Sequence, residues 1–177
     1  MQTGTVELNP AAQTEKSDHR AGKYLAFQLG QEEFAIQVLK VREIMGVQEI
    51  TAVPQTPHYV KGVINLRGKV IPVVDLRLKF GLPEAAYTQR TCIIVVQVTH
   101  GSGNMLMGIV VDGVSEVLTL TAADIEDTPD FGHGITVPYL LGMAKTKEGV
   151  KILLDIDQVL STQEVHKLEA VLQTAES

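Results

Sequence analysis

The sequence predicts a mainly β protein that consists of two similar small β-barrels followed by a C-terminal helix. This prediction rests on two observations. Short apolar strands separated by turn residues run through most of the 177-residue chain, and such strands favour small closed barrels over an open sheet with exposed edges. In addition, segments of the first half recur in the second half in the same order, which indicates two related subdomains.

The strands are recognised by their alternation of apolar and polar residues. Leu25, Phe27 and Leu29 occupy every second position, which is the pattern of a half-buried strand. The turn at 30–32 leads into the next strand at 33–36. By the same criteria, further strands are predicted at 63–66, 70–74, 91–98 and 105–111.

A helix is predicted at the C-terminus, over residues 162–174. Ser161 and Glu164 have the spacing of a capping box, in which each side chain accepts a hydrogen bond from the other residue's backbone N–H. Val165, Leu168 and Leu172 then lie on one face of the helix. We therefore expect the helix to pack against the β core.

The internal repeat involves three pairs of segments. The matching segments are 59–62 and 139–142, 70–75 and 150–155, and 41–44 and 114–117. The first two pairs are 80 residues apart and the third is 73 apart, so loops of different length account for the difference. We expect a first repeat over about 23–85 and a second over about 86–160. Chance similarity between Val/Ile-rich strands is the alternative explanation.

Composition excludes several classes of protein. The formal net charge of −6 disfavours binding to nucleic acid, which needs clustered cations to displace counterions. No apolar run approaches the roughly 18 to 20 residues of a membrane span, and the N-terminus lacks a signal peptide. Cys92, the only cysteine, fits a small buried hydrophobe. We expect a cytoplasmic protein without membrane insertion, preceded by a disordered polar leader over 1–22.

No cluster of catalytic residues is evident in the sequence. The histidines are scattered, and none is placed to activate the single cysteine. Asp127, Asp130 and His133 are the best metal-like grouping, but calcium loops and zinc sites use denser ligand sets. Asp75 and Asp155 occupy equivalent places after apolar strands, where they are expected to cap backbone N–H groups. The sequence therefore predicts no enzyme, no metal and no cofactor.

The run from Lys61 to Arg77 resembles the signature of the CheW family of chemotaxis coupling proteins. Segments 38–44 and 108–118 support the resemblance, which extends over roughly 23–172. It implies two intertwined five-stranded SH3-like barrels that catalyse no reaction. It also implies two partners, namely the regulatory domain of the histidine kinase CheA and the cytoplasmic tips of methyl-accepting chemoreceptors, joined in a ternary signalling array.

The resemblance also implies which residues contact the partners. Glu43 and Arg67 would form the key polar pair of the kinase and receptor interface, with Gly62 and Gly68 allowing tight turns beside them. Without the resemblance, Arg67 is expected to be a solvated turn residue. Phe131 matches the position of a second, smaller contact with the kinase.

An apolar groove between the barrels would receive the helical hairpin of the receptor. The residues implied for this groove are Val38, Val41, Cys92, Gly108 and Val117. Each of them also has a plain alternative as a core residue, because a single sequence does not tell which strand face is open to solvent.

Other functions remain open from the sequence alone. A related protein that couples a pili or biofilm array would have the same motifs, and a domain cut from a larger kinase or adaptor would have the same fold. A barrel that binds a small ligand would need an internal cavity with polar groups, and an enzyme would need a reactive cluster. Among these functions, the sequence favours the adaptor.

Overall fold

The computed structural model describes residues 19–101, 103–128 and 138–176. In chain order the strands are β1 (Gly22–Leu29), β2 (Glu32–Gln37), β3 (Val41–Gly46), β4 (Val60–Leu66), β5 (Lys69–Asp75), β6 (Cys92–His100), β7 (Gly103–Val111), β8 (Gly113–Leu120), β9 (Ile125–Glu126), β10 (Leu140–Thr146) and β11 (Gly149–Leu154). The helices are α1 (Leu76–Lys79) and α2 (Thr162–Glu176), and short 3₁₀ turns lie at Val38–Lys40, Ala122–Asp124 and Ile156–Gln158.

The strands form two sheets, and each sheet takes strands from both halves of the sequence. The five-stranded sheet has the order β3-β6-β7-β5-β4, and the six-stranded sheet has the order β8-β1-β2-β11-β10-β9. Hairpin β1–β2 of the first half therefore lies in the sheet of the second half, and hairpin β6–β7 lies in the sheet of the first. The predicted fold class, with two similar β subdomains and a C-terminal helix, is confirmed.

Two details differ from the prediction of closed five-stranded barrels. The six-stranded sheet contains the additional two-residue strand β9, and the paired strand order of each sheet is open. At the β4 edge of the five-stranded sheet, an isolated bridge between Thr51 and Val63 covers the strand. An edge covered by a neighbouring segment is protected from pairing with another chain without full closure of the barrel.

The two halves repeat each other in local geometry as well as in sequence. The backbone N–H of Asp75 donates to the carbonyl of Tyr59 at 2.8 Å, and that of Asp155 donates to the carbonyl of Tyr139 at the same distance. The Asp75 carboxylate caps α1, and that of Asp155 caps the 3₁₀ turn after β11. The predicted capping role of both aspartates is confirmed.

Three apolar clusters fill the interior of the described part of the chain. One lies inside the five-stranded sheet and includes Ile64, Ile71, Val73, Ile93 and Val95. A second lies inside the six-stranded sheet and includes Tyr24, Ala26, Ala35 and Leu153. The third and largest, which we call the inter-sheet core, joins the two sheets and α2; its members include Leu25, Phe27, Ile36, Ile94, Val96, Ile109, Val165 and Leu168.

Helix α2 begins as the sequence predicts. The backbone N–H of Ser161 donates to Glu164 Oε1 at 2.7 Å, and the N–H of Glu164 donates to Ser161 Oγ at 3.2 Å. Val165 and Leu168 are buried in the inter-sheet core, and Leu172 is half-buried. Within the part of the chain that the structure describes, no helix is long and apolar enough to span a bilayer.

Glu164 also fastens α2 to the first half of the chain. Its Oε2 accepts from the hydroxyl of Tyr59 at 2.6 Å and from Lys79 Nζ at 2.8 Å. Burial alone raises the pKa of Glu164, but Lys79, the Ser161 N–H and Tyr59 outweigh it and lower that pKa to about 2. Burial, and then the hydrogen bond to the same carboxylate, raise the pKa of Tyr59.

Replacement of Glu164 by Gln is expected to lower the free energy of unfolding by about 1 to 3 kcal/mol near neutral pH. Because the folded-state pKa lies below the ordinary value of 4.5, the charged group stabilises the fold above pH 4.5, and this contribution is lost as the pH falls toward 2. Urea unfolding of both proteins at several pH values measures the difference. A difference between the two that stays constant down to pH 2 would contradict the assignment.

Candidate docking site on the five-stranded sheet

The hairpin β4–β5 ends in a tight two-residue turn that presents Arg67 to solvent. Leu66 pairs with Lys69, and both residues between them have positive φ, 51° at Arg67 and 88° at Gly68. Two successive residues with positive φ are typical of the type I′ hairpin turn. The side chain of Asn65 accepts from the Gly68 N–H at 2.8 Å and stabilises this turn.

Arg67 forms a two-pronged ion pair with Glu43, as the resemblance led us to expect. Its two terminal nitrogens donate to Glu43 Oε1 at 2.5 Å and to Oε2 at 3.3 Å. The Arg67 side chain is 73% exposed and that of Glu43 is 31% exposed. The hydrogen bond from Arg67 lowers the pKa of Glu43, so the carboxylate is charged at neutral pH and both groups remain accessible to a partner.

Glu43 stands at one end of the five-stranded sheet, beside a cleft of about 460 Å³. It pairs with Val95 across β3 and β6, and directly paired residues project from the same face. Arg42, Arg67 and Lys69 also line the cleft, so its rim has three cations and one carboxylate. Such a rim favours a partner that brings an acidic group.

Gly62 holds a neighbouring segment close to β4. Its φ is +141°, and a Cβ at this position would lie 2.0 Å from the carbonyl oxygen of Thr51. The close approach allows the paired hydrogen bonds between Thr51 and Val63, both 2.9 Å long. The resemblance implies that Gly62 allows a turn; instead it lies within β4 at a bulge, where the absence of a side chain permits the close approach.

A partly exposed apolar strip runs along the seam between the two sheets. Ile44 of β3 pairs with Ile94, and Val117 of β8 pairs with Leu25. Since Ile94 and Leu25 belong to the inter-sheet core, Ile44 and Val117 project toward the same seam. They are 46% and 57% exposed.

Three other residues implied for the groove border this seam from inside. Val38, Val41 and Cys92 are half-buried and pack against the inter-sheet core. Burial raises the pKa of the Cys92 thiol, and a hydrogen bond with the backbone of Val114 opposes this rise. That contact joins the start of β6 to β8, so the two edge strands β3 and β8 approach each other at Cys92.

Gly108 lies away from the groove. It pairs with both Val95 and Val73 and is buried inside the five-stranded sheet. A Cβ there would lie 2.9 Å from Ile93 Cγ2. Gly108 therefore permits close packing of the core and offers no surface to a partner, which fits the core alternative that the sequence leaves open.

Part of the sequence-based site lies outside the described residues. Phe131, Asp130 and His133 all belong to the segment 129–137. Among the residues described by the structure, no group of three His, Cys, Asp or Glu side chains could hold a metal ion. The Phe131 contact stays a prediction.

Comparison with known proteins decides the family. Residues 23–164 match the CheW-like domain. The chain is 41% identical over 152 residues to the chemotaxis protein CheW of Klebsiella aerogenes, which covers 86% of this chain and 89% of that protein. The chain belongs to the CheW family. It is also 37% identical over 140 residues to CheW of Rhizobium meliloti, covering 79% of this chain and 88% of that protein.

A solved CheW structure agrees with this membership. The scaffolding protein CheW of Thermoanaerobacter tengcongensis has a TM-score of 0.71 and 30% sequence identity, and the match covers 81% of this chain and 95% of that one. Membership in the CheW family, with a scaffolding protein as structural neighbour, indicates a non-catalytic chemotaxis adaptor.

Sequence reasoning overlooked two exposed apolar residues beside the predicted site. Ile44 and Leu39 are among the most exposed large hydrophobic side chains of the described chain. The repeat could have identified Ile44, because it is the counterpart of Val117 at the 73-residue spacing. Leu39 lies in the turn between β2 and β3, where no periodicity distinguishes exposed from buried positions.

Proposed function

We propose that this chain couples chemoreceptors to the histidine kinase CheA by binding both of them, in the cytoplasm beside receptor arrays. The observation that supports the proposal most directly is the accessible Glu43–Arg67 pair on a rigid hairpin turn. The names of its relatives, chemotaxis proteins and a scaffolding protein, support the same role.

On the kinase side, we assign the contact to the cleft around Arg67. A guanidinium held in place by a carboxylate loses little conformational freedom when it binds a further acidic group. The neighbouring Arg42 is also fixed, since its guanidinium donates to Gln97 Oε1 at 2.6 and 3.0 Å and to the carbonyl of Leu39. Arginines held in this way are well suited to anchor an interface.

On the receptor side, we assign the contact to the seam occupied by Ile44 and Val117. An amphipathic helix binds by laying its apolar face into an apolar groove, and these two side chains offer such a surface on opposite edges of the seam. Val38, Val41 and Cys92 would form its wall. Phe131 would provide a second contact with the kinase.

Reversal of the charge at Arg67 is expected to weaken binding of the CheA regulatory domain at least about tenfold. The variant Arg67→Glu places two carboxylates together at the cleft. Titration calorimetry with the purified regulatory domain measures the dissociation constant. The matched control is Lys147→Glu, which makes the same change of sign at the exposed counterpart position of the β10–β11 hairpin.

Equal affinity of the Arg67→Glu variant and wild type would remove the kinase assignment. If the Lys147→Glu control weakened binding as much, the effect would come from overall charge rather than from this cleft.

Replacement of Val117 by Lys is expected to weaken binding of a receptor-tip fragment about tenfold or more and to leave the kinase affinity unchanged. A charged group in the seam would have to be desolvated against the apolar face of the helix. The control is Val150→Lys, because Val150 is also a strand valine, at 53% exposure, and lies on β11 away from the seam. Receptor binding that survives in Val117→Lys would refute the groove.

A further inference from the structure

The two halves of the chain are held together by exchanged hairpins. Hairpin β1–β2 leaves the first half to complete the six-stranded sheet, and β6–β7 leaves the second half to complete the five-stranded sheet. The strands that meet across the halves are β5 with β7 and β11 with β2, both parallel pairs. Each half is therefore the binding partner of the other over both sheets.

Two ion pairs fix the points where each hairpin crosses between sheets, and we call them the crossover ion pairs. Asp112, between β7 and β8, accepts from Arg77 of α1 at 2.6 Å and from the N–H of Gly30 at 2.7 Å. Lys40, between β2 and β3, donates to Asp157 at 2.7 Å, and Asp157 also accepts from a backbone N–H on β6.

The crossover ion pairs are related by the internal repeat but have opposite polarity. Arg77 and Asp157 are counterparts, since each stands two residues after its capping aspartate. Lys40 and Asp112 lie in corresponding crossovers. Both cations therefore belong to the first half of the chain and both anions belong to the second half.

Other ion pairs of the described residues that join distant parts of the chain have both polarities. Lys79 of the first half pairs with Glu164 of α2, and Arg20, which precedes β1, pairs with Asp127, whereas Lys151–Glu33 places the cation in the second half. If two first halves came together in this arrangement, a lysine would face an arginine at each crossover. If two second halves came together, two aspartates would meet.

We propose that this polarity is a pairing code that makes each half accept only the opposite half, either within one chain or from a second copy of the chain. Like charges brought together at a partly buried site oppose association strongly, whereas complementary charges fix register and partner. The repeat gives both halves a similar arrangement of strands, and the charges at the crossovers distinguish the right partner from the wrong one. The surface thus fits a second copy through exchange of halves.

The connection between the halves leaves room for such an exchange. Residues 83–90 are exposed, and eight extended residues span up to roughly 28 Å. A connection of this reach lets the second half of one chain pair with the first half of another. In the wild-type chain the two halves are covalently attached, so each half is present at a high local concentration near the other. This favours pairing within one chain.

The test uses full-length chains with altered polarity. An acidic chain, Lys40→Asp with Arg77→Asp, has anions at both crossovers in both halves. A basic chain, Asp112→Lys with Asp157→Lys, has cations throughout. In either chain alone, like charges face each other at both crossovers. In a heterodimer that exchanges halves between the acidic and the basic chain, every cation faces an anion. Each protein is unfolded in denaturant, refolded alone or in an equal mixture, and weighed by native mass spectrometry.

We expect the mixture to yield a 1:1 heterodimer in at least about tenfold excess over either homodimer, with a higher denaturation midpoint than either chain alone. The control chain with all four substitutions reverses both pairs internally and is expected to stay a monomer. Monomers in the mixture, or a four-substitution chain that dimerises equally, would overturn the proposal. If the double variants do not fold, two chains with one substitution each, Lys40→Asp and Asp157→Lys, are mixed in the same way. The same 1:1 heterodimer is expected.

Discussion

A Gly62→Ala variant is expected to lose at least about 4 kcal/mol of its free energy of unfolding. The added Cβ would stand 2.0 Å from the Thr51 carbonyl oxygen and 2.7 Å from the carbonyl carbon, so the backbone of one segment must move. The φ of +141° adds the strain of a conformation that residues with a side chain rarely adopt. Movement of Thr51 also breaks its two hydrogen bonds to Val63.

The control for this variant is Gly68→Ala. Gly68 also has a positive φ, but a Cβ there would meet nothing within 4 Å. Only the conformational strain is introduced, and a loss of about 1 to 2 kcal/mol is expected. Guanidinium unfolding followed by circular dichroism compares the two variants. Similar losses in both would mean that the β4 contact with Thr51 contributes little.

The second large effect is expected at Glu33, the partner of the buried Lys151. Lys151 is 2% exposed and donates to Glu33 Oε1, while Ser115 donates to Oε2. Removal of the carboxylate in Glu33→Ala leaves an ammonium group buried without its counter-ion, and a loss of about 3 to 5 kcal/mol is expected. The exposed neighbour variant Glu32→Ala is the control and should lose less than about 0.5 kcal/mol.

The other sheet indicates how the loss at Glu33 could be restored. The counterparts of Lys151 and Glu33 in the repeat are Ile71 and Leu106, and both belong to an apolar cluster. The double variant Glu33→Leu with Lys151→Ile copies that pair and is expected to recover most of the stability lost in Glu33→Ala. Thermal unfolding measures the recovery, and a double variant no more stable than Glu33→Ala would show that the site does not accept an apolar pair.

Low pH should weaken the contribution of Glu33 to the stability of the fold. The hydrogen bonds from Lys151 and Ser115 lower the pKa of Glu33. The charged carboxylate therefore stabilises the fold above its unfolded-state pKa, and this stabilisation is lost as the pH falls through the lowered value. The difference in the free energy of unfolding between wild type and Glu33→Ala should therefore become smaller as the pH falls.

Local patterns in the sequence were sufficient to predict much of the fold. Alternation along residues 25–29 and the capping box at Ser161 depend only on neighbours in the chain, so periodicity and spacing reveal them. The capping aspartates Asp75 and Asp155 were predicted for the same reason. The Glu43–Arg67 pair came from the family resemblance, since nothing local joins residues 24 positions apart.

The exchange of hairpins could not be predicted from the residues. A strand has the same alternation whichever sheet it joins, so β1 and β6 contain no local signal of their destination. The face of a strand that stays open is also decided by distant packing, which is why Gly108 was placed in the groove and Ile44 was overlooked. The polarity of the crossover ion pairs becomes visible only once the crossovers are known.

Strand β3 has a mechanical consequence for the proposed coupling of two partners. Glu43 and Ile44 are consecutive and point to opposite faces, one toward the charged cleft and the other toward the apolar seam. Successive residues of a strand are about 3.3 Å apart. A partner bound to one face of β3 therefore also restrains the backbone that positions the side chain on the opposite face. A partner that displaces β3 at the cleft would also displace the seam, so this strand connects the two proposed docking surfaces mechanically.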